Sequence, residues 1–218
     1  MKPSASTGDL FADVQGGVEP LAEGAAILRG FVADEATLLE EIQRVAAAAP
    51  FRQMVTPGGY RMSVSMTNCG AAGWVSDPRG YRYDAADPGT GMAWPAMPES
   101  FRRLANDAAG ATGFAEYVPD ACLINRYEAG TKLSLHQDKD ERDFTAPIVS
   151  VSLGLPAVFL FGGLRRRDRP RRYRLESGDV VVWGGPARLT YHGVAPLPEG
   201  EHPLTGPYRF NLTFRKAL

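Results

Sequence analysis

The chain has little with which to build disulfides, metal clusters or a one-sided field. Its 218 residues hold two cysteines, Cys69 and Cys122, and three histidines, His136, His192 and His202. Two thiols cannot staple a secreted scaffold, which predicts a reducing, cytoplasmic setting. Charge of neither sign prevails: 24 basic against 25 acidic residues leave a net charge of −1. That excludes a global field for nucleic acid or membrane, so any polyanion site must be a local patch. No basic stretch followed by an apolar run opens the sequence, and no secretory signal is predicted. One uncharged stretch, residues 145–164, has the length of a membrane span, but Pro147, Gly154, Pro156, Gly162 and Gly163 interrupt it. Its β-branched residues predict two buried strands instead.

What is present is an ordinary globular composition, 44% hydrophobic and 22% charged, enough for one core. Asp34 is placed to cap a helix whose apolar stripe is Leu38, Leu39, Ile42, Val45, Ala46 and Ala49, with Pro50 as its stop. Residues 51–95 are dense in Gly, Met, Tyr and Trp, with a strand-like piece at 60–67. A second helix is predicted near 98–109, with Pro98 in its first turn. From about residue 117 the pattern is β, with strands predicted at 121–127, 133–136, 148–153, 158–161, 172–175, 180–183, 189–192 and 208–215. Strands this short and numerous suggest a sandwich or barrel, buttressed by the helices.

His136 and Asp138 stand two residues apart, so on extended backbone both face one way. His192 ends another predicted strand. Two histidines and a carboxylate can cap one face of an octahedral ion and leave positions open, as in non-haem Fe(II) oxygenases. H-x-D alone is weak, since such a histidine is more often an ordinary surface or core residue. His202, in a Pro-Glu-Gly-Glu-His-Pro loop, is read as a solvated loop residue. In the last predicted strand Arg209, Asn211, Thr213 and Arg215 share one face, opposite Tyr208, Phe210, Leu212 and Phe214. The polar face is either an ordinary wet face or an inward clamp for a carboxylate, since guanidinium matches carboxylate bidentately. Residues 165–174 carry seven arginines and one acid. Such a run is either a solvated hairpin tip or a phosphate-binding patch.

Five segments together resemble the AlkB family of Fe(II)- and 2-oxoglutarate-dependent nucleic-acid dealkylases. They are Asn125-Arg126-Tyr127, the run from Leu133 to Glu141, Val149 to Gly154, Gly178 to Gly185, and Arg209 to Arg215, and the likeness reaches upstream through Pro50–Tyr60 and Met66–Gly70. The resemblance implies a mostly β fold with flanking helices, a double-stranded β-helix (jelly roll) with an N-terminal nucleotide-recognition lid. The chain would divide into a mobile arm (1–20), helices and lid (21–115) and catalytic core (116–218), all one folded domain.

It further implies that His136, Asp138 and His192 ligate Fe(II), with 2-oxoglutarate and O2 as cosubstrates. Arg215 would pair with the distal carboxylate of 2-oxoglutarate, helped by Asn125, Tyr127, Arg209 and Asn211. Trp74 would stack on the base opposite His136, with Tyr81, Met66 and Thr56 from the lid. Asp140 and Glu141 would face the base's exocyclic nitrogen, and Arg166 would border the pocket. The implied reaction is oxidative demethylation of 1-methyladenine and 3-methylcytosine in single-stranded DNA, RNA and duplex DNA being further candidates. A monomer without obligate protein partner or membrane is expected. The alternative is a small-molecule or protein hydroxylase on the same iron scaffold, which would have no use for Trp74, Tyr81 or the arginine patch.

Overall fold

The computed structural model describes residues 17–218. Most of the arm read from the sequence lies outside them, and its last residues are not arm but strand β1 (Val18–Ala22), which turns into β2 (Ala25–Leu28). Helix α1 (Glu35–Ala48) starts where its cap predicts, the Asp34 carboxylate accepting the Thr37 N–H at 3.0 Å. It buries Leu38, Leu39, Ile42 and Val45. Helix α2 (Glu99–Ala111) follows Pro98, which stands just outside it, and buries Phe101, Ala105, Ala108 and Ala109.

The remaining strands are β3 (Arg52–Val55), β4 (Arg61–Gly70), β5 (Gly73–Asp77), β6 (Gly80–Asp84), β7 (Ala121–Tyr127), β8 (Leu133–His136), β9 (Ile148–Gly154), β10 (Ala157–Phe161), β11 (Arg171–Leu175), β12 (Val180–Trp183), β13 (His192–Val194) and β14 (Arg209–Arg215). They form a major sheet ordered β1-β2-β12-β9-β14-β7-β4-β3 and a minor sheet ordered β11-β10-β13-β8, with β5-β6 as a separate hairpin. The antiparallel sheets make the jelly roll. Strands from both sides of residue 116 share the major sheet, and the part standing apart from both sheets is the β5-β6 hairpin.

The predicted strand at 189–192 is displaced. Gly185–Ala187 form a 3-10 turn, and pairing begins only at His192. The uncharged stretch folds as β9 and β10, and among the described residues no helix is long and apolar enough to cross a membrane. Cys69 and Cys122 are buried free thiols.

Strand β14 lies between β9 and β7 at the centre of the major sheet. Its alternation sorts two environments. Leu212 and Phe214 join the core cluster beneath both helices, and the Phe214 ring meets Phe101 of α2 edge-on with centroids 6.0 Å apart. Arg209, Asn211, Thr213 and Arg215 instead line the cavity between the sheets. The polar face therefore turns inward.

Candidate active site

The minor sheet brings the two histidines together. His192 of β13 is the register partner of His136 of β8, with ring centroids 4.4 Å apart. Gly193 permits this approach, because a Cβ there would lie 2.6 Å from the Leu133 carbonyl oxygen. Each ring is oriented by backbone two residues earlier: His136 Nδ1 lies 2.8 Å from the Ser134 carbonyl and His192 Nδ1 lies 3.0 Å from that of Thr190. A carbonyl only accepts, so each Nδ1 carries a proton and each Nε2 is left to face Asp138.

Asp138 completes the set. Its Oδ1 is 3.7 Å from His136 Nε2 and its Oδ2 is 3.8 Å from His192 Nε2. One ligand atom from each of the three residues falls within 4.8 Å of the others. Two imidazoles and a carboxylate converging from one side fit a divalent ion with open positions.

Electrostatics hold His192 and Asp138 in ligating form. Burial pushes the His192 imidazole down to about 4, His136 adds to the shift, and Asp138 only partly opposes it, so His192 is neutral at physiological pH. For Asp138 burial acts upward, but Arg215 outweighs it, and the carboxyl stays well below the usual range. Arg215 donates to Asp138 Oδ2 through Nε (2.9 Å) and Nη2 (2.7 Å), and its Nε is 3.2 Å from Glu141 Oε1.

Glu141 is buried and also accepts from Tyr83 Oη at 2.7 Å and Arg188 Nη2 at 3.1 Å, while Arg188 Nη1 donates to the Asp138 carbonyl at 2.8 Å. Two carboxylates and two guanidiniums thus form one compensated cluster around Asp138. Buried charges persist when paired this way.

Two residues sit otherwise than the family resemblance implies. Arg215 faces two carboxylates and is already paired, so it does not offer the free fork expected for the distal carboxylate of 2-oxoglutarate. Glu141 is turned into the charge cluster and is not among the cavity-lining residues, so of the two neighbouring acids only Asp140 lines it.

The free fork belongs to Arg209. It is 1% exposed and sits 4.8 Å over the Tyr127 ring; one donor reaches Ser152 Oγ at 3.0 Å, while Nε and Nη1 have no partner. Pairing of β14 with β7 sets Arg209 opposite Tyr127 and Asn211 opposite Asn125. Tyr127 Oη and Asn125 Oδ1 are buried and unpartnered as well. Burial pushes the Tyr127 phenol up to about 12, so it stays neutral and supplies no counter-charge. Asn211 is held by Ser150 Oγ (2.8 Å) and the Val151 carbonyl (2.9 Å), and its Oδ1 receives the Asn125 amide at 3.3 Å. A buried cation without a carboxylate is costly, and an anion bound at this spot would remove the cost. The unpaired donors therefore fit a carboxylate-bearing cosubstrate.

The same cavity, about 630 Å³, is lined further out by Thr56, Met66, Trp74, Tyr81, Asp140 and Arg166. Trp74 and Tyr81, from the two strands of the β5-β6 hairpin, stack with centroids 5.7 Å apart and planes at 12°. Trp74 Nε1 donates to Asp140 Oδ2 at 2.8 Å. The aromatic plate expected opposite His136 here lies against Tyr81, held at its edge by the acid.

Tyr83, Arg188 and Trp183 escaped the sequence reading. Trp183 lines the cavity with its ring 4.8 Å from that of His192. None sits in a pattern that separates it from an ordinary core aromatic or surface arginine.

Comparison with known proteins agrees with this geometry. A model of the 2OG-Fe(II) oxygenase superfamily matches residues 24–215. The chain is 62% identical over 210 residues to the alpha-ketoglutarate-dependent dioxygenase AlkB of Salmonella typhimurium, covering 96% of this chain and 97% of that protein. It is 33% identical over 187 residues to the DNA N(6)-methyladenine demethylase ALKBH1C of Arabidopsis thaliana, covering 72% of this chain and 41% of that protein. The solved structure of OsALKBH1 superposes with a TM-score of 0.80 at 31% identity, covering 92% of this chain and all of that one. With nearly full-length identity to AlkB and the superfamily match spanning both sheets, the chain belongs to the AlkB family of 2OG-Fe(II) oxygenases.

Proposed function

We propose that this chain repairs N-alkylated bases in nucleic acid by oxidative dealkylation, with Fe(II), 2-oxoglutarate and O2. The observation that carries the proposal is one cavity holding three convergent ligand atoms, an uncompensated buried arginine and a stacked aromatic pair at its mouth. A metabolite hydroxylase needs the first two features and has no use for the third.

In this reading His136, Asp138 and His192 hold the iron. Arg209 and the Tyr127 hydroxyl receive the distal carboxylate of 2-oxoglutarate, with Asn125 and Asn211 keeping the strand pair in register beneath it. Arg215 acts one step back, fixing Asp138 in its ionised form. Fe(II) with 2-oxoglutarate and O2 supplies an oxidant that hydroxylates the alkyl carbon, with succinate and CO2 as coproducts and formaldehyde lost when the hydroxylated group collapses.

The protein's remaining work is recognition. A base alkylated on its pairing edge has lost its pairing, which lowers the cost of turning it out of the strand. Trp74 and Tyr81 part from their mutual stack and give the base an aromatic plate, a contact of ~1–3 kcal/mol. Asp140 favours a base carrying positive charge, as 1-methyladenine and 3-methylcytosine do. Thr56 and Met66 close the lid side and Arg166 the rim.

The test is mass spectrometry of a single-stranded oligonucleotide carrying one 1-methyladenine after aerobic incubation with Fe(II), ascorbate and 2-oxoglutarate. Loss of one methyl group only in the complete mixture is the expected result. Iron-loaded protein that makes succinate and leaves the oligonucleotide intact would move the substrate to another class.

A further inference from the structure

The arginines of residues 165–174 are not equivalent once folded. Arg165 is paired with Asp168 at 3.3 Å and Arg174 with Glu176 at 2.5 Å, while Arg166 lines the cavity. Arg167, Arg169, Arg171 and Arg172 are exposed and make no ion pair among the described residues. The loop that carries the first two is rooted beside the cavity: Gly162 N–H donates to the Tyr191 carbonyl at 2.8 Å, the Tyr191 N–H donates to that of Gly163 at 2.9 Å, and Tyr191 lines the cavity. Asp168 closes the turn, its carboxylate accepting the Arg165 N–H at 3.0 Å.

Strand register separates the other two. Arg171 of β11 stands opposite Phe161 of β10, Phe161 opposite His192 of β13, and His192 opposite His136 of β8. Residues directly opposite one another carry their side chains on the same face of a sheet. Arg171 therefore ends the row that contains both histidines, on the face turned toward the interior of the jelly roll, three strand spacings or about 14 Å from His136. Arg172, opposite Leu160, belongs to the outer face.

We propose that Arg167, Arg169 and Arg171 form an edge that binds the phosphates of the nucleic-acid strand beyond the nucleotide held in the cavity. The proposal rests on the dealkylase reading of the site. It assigns the surface to a polynucleotide backbone, since unpaired guanidiniums at the rim of a nucleotide cavity match successive phosphate oxygens. The other use of such charges is to guard β11, an edge strand, against pairing with another chain. Guarding is served equally by Arg171 and Arg172, whereas the phosphate edge needs only the face that continues the cavity.

That asymmetry is the test. Anaerobic protein loaded with Fe(II) and 2-oxoglutarate is titrated with a fluorescent single-stranded 15-mer carrying 1-methyladenine, over a range of salt concentrations. Arg171→Ala is expected to weaken binding about three- to tenfold at ~0.1 M salt and to flatten the slope of log K against log salt by about 0.7. Arg172→Ala should leave both at the wild-type value, and should turn over an alkylated trinucleotide as the wild type does. Equal effects of the two substitutions, or an unchanged slope in Arg171→Ala, overturn the proposal. Failure of the wild type to act on the trinucleotide would instead count against the dealkylase reading, and the 15-mer titration would still judge the edge by itself.

Discussion

Arg209 and Arg215 share one face of β14, yet their surroundings give them different work. Arg215 is spent on Asp138 and Glu141, while Arg209 keeps two donors free beneath the cavity. Arg209→Ala should therefore raise the KM for 2-oxoglutarate about tenfold or more, the loss of a hydrogen bond to a charged group being ~1.5–3 kcal/mol. Its affinity for Mn(II), used in place of Fe(II), should change little. Arg215→Ala should do the reverse, weakening Mn(II) binding because Asp138 loses the cation that keeps it ionised. Parallel titrations of both variants decide this, and the same profile in each would dissolve the distinction.

His192 adds a prediction on pH. Its imidazole titrates near 4 when folded and near 6.5 when unfolded, so the unfolded chain binds the extra proton first as the solution is acidified. The stability tied to this residue is complete above pH 6.5 and is lost as pH falls toward 4, on the order of 3 kcal/mol for the metal-free protein. Urea midpoints across this window should fall in the wild type and fall less in His192→Phe.

At the scale of elements, the β5-β6 hairpin stands apart from both sheets and brings Trp74 and Tyr81 over the cavity. Trp74→Ala should raise the KM for an alkylated oligonucleotide by about five- to a hundredfold, the cost of losing a stacking plate, and leave that for 2-oxoglutarate unchanged. Steady-state kinetics with each substrate varied in turn would show a shift in the wrong constant if the hairpin had another role.

This hairpin also shows where legibility in the sequence ends. Strands β7, β8 and β12 were readable at their exact bounds, because continuous branched or apolar runs end in turn residues. The β1-β2 and β5-β6 hairpins were not, since short polar and glycine-flanked runs declare themselves only through their partners. Spacing on extended backbone sets His136 beside Asp138, but only the family resemblance makes a ligand set of these two and His192, which joins them in the cavity although its strand begins later than predicted. The roles of the two arginines were not readable, because which guanidinium is free depends on residues from other strands: Asp138 and Glu141 around one, Tyr127 and Ser152 around the other. Asp140 and Glu141 part for a related reason, since neighbouring acids in a loop need not face the same way: of the two, Asp140 lines the cavity while Glu141 pairs with Arg188 and Arg215.

For the whole molecule, the two faces of the major sheet divide stability from chemistry. Both helices pack on the face opposite the cavity, and Phe101 lies against Phe214 there. Phe101→Ala should cost about 3–5 kcal/mol and lower Tm by roughly 6–20 °C for a chain of this size. Because Arg209, His136, Asp138 and His192 line the cavity on the other side of that sheet, the KM for 2-oxoglutarate should hold at temperatures where the variant remains folded. A large rise in that KM would mean that the helical layer shapes the cavity directly.

The central proposal is that cosubstrate oxidation and base repair occur in one cavity. Its most direct test is to quantify succinate and formaldehyde together during turnover of a 1-methyladenine oligonucleotide. Equal amounts of the two, matching the methyl groups lost and both abolished in Asp138→Ala, are the predicted result. Succinate produced without formaldehyde, at a rate indifferent to the alkylated strand, would contradict it.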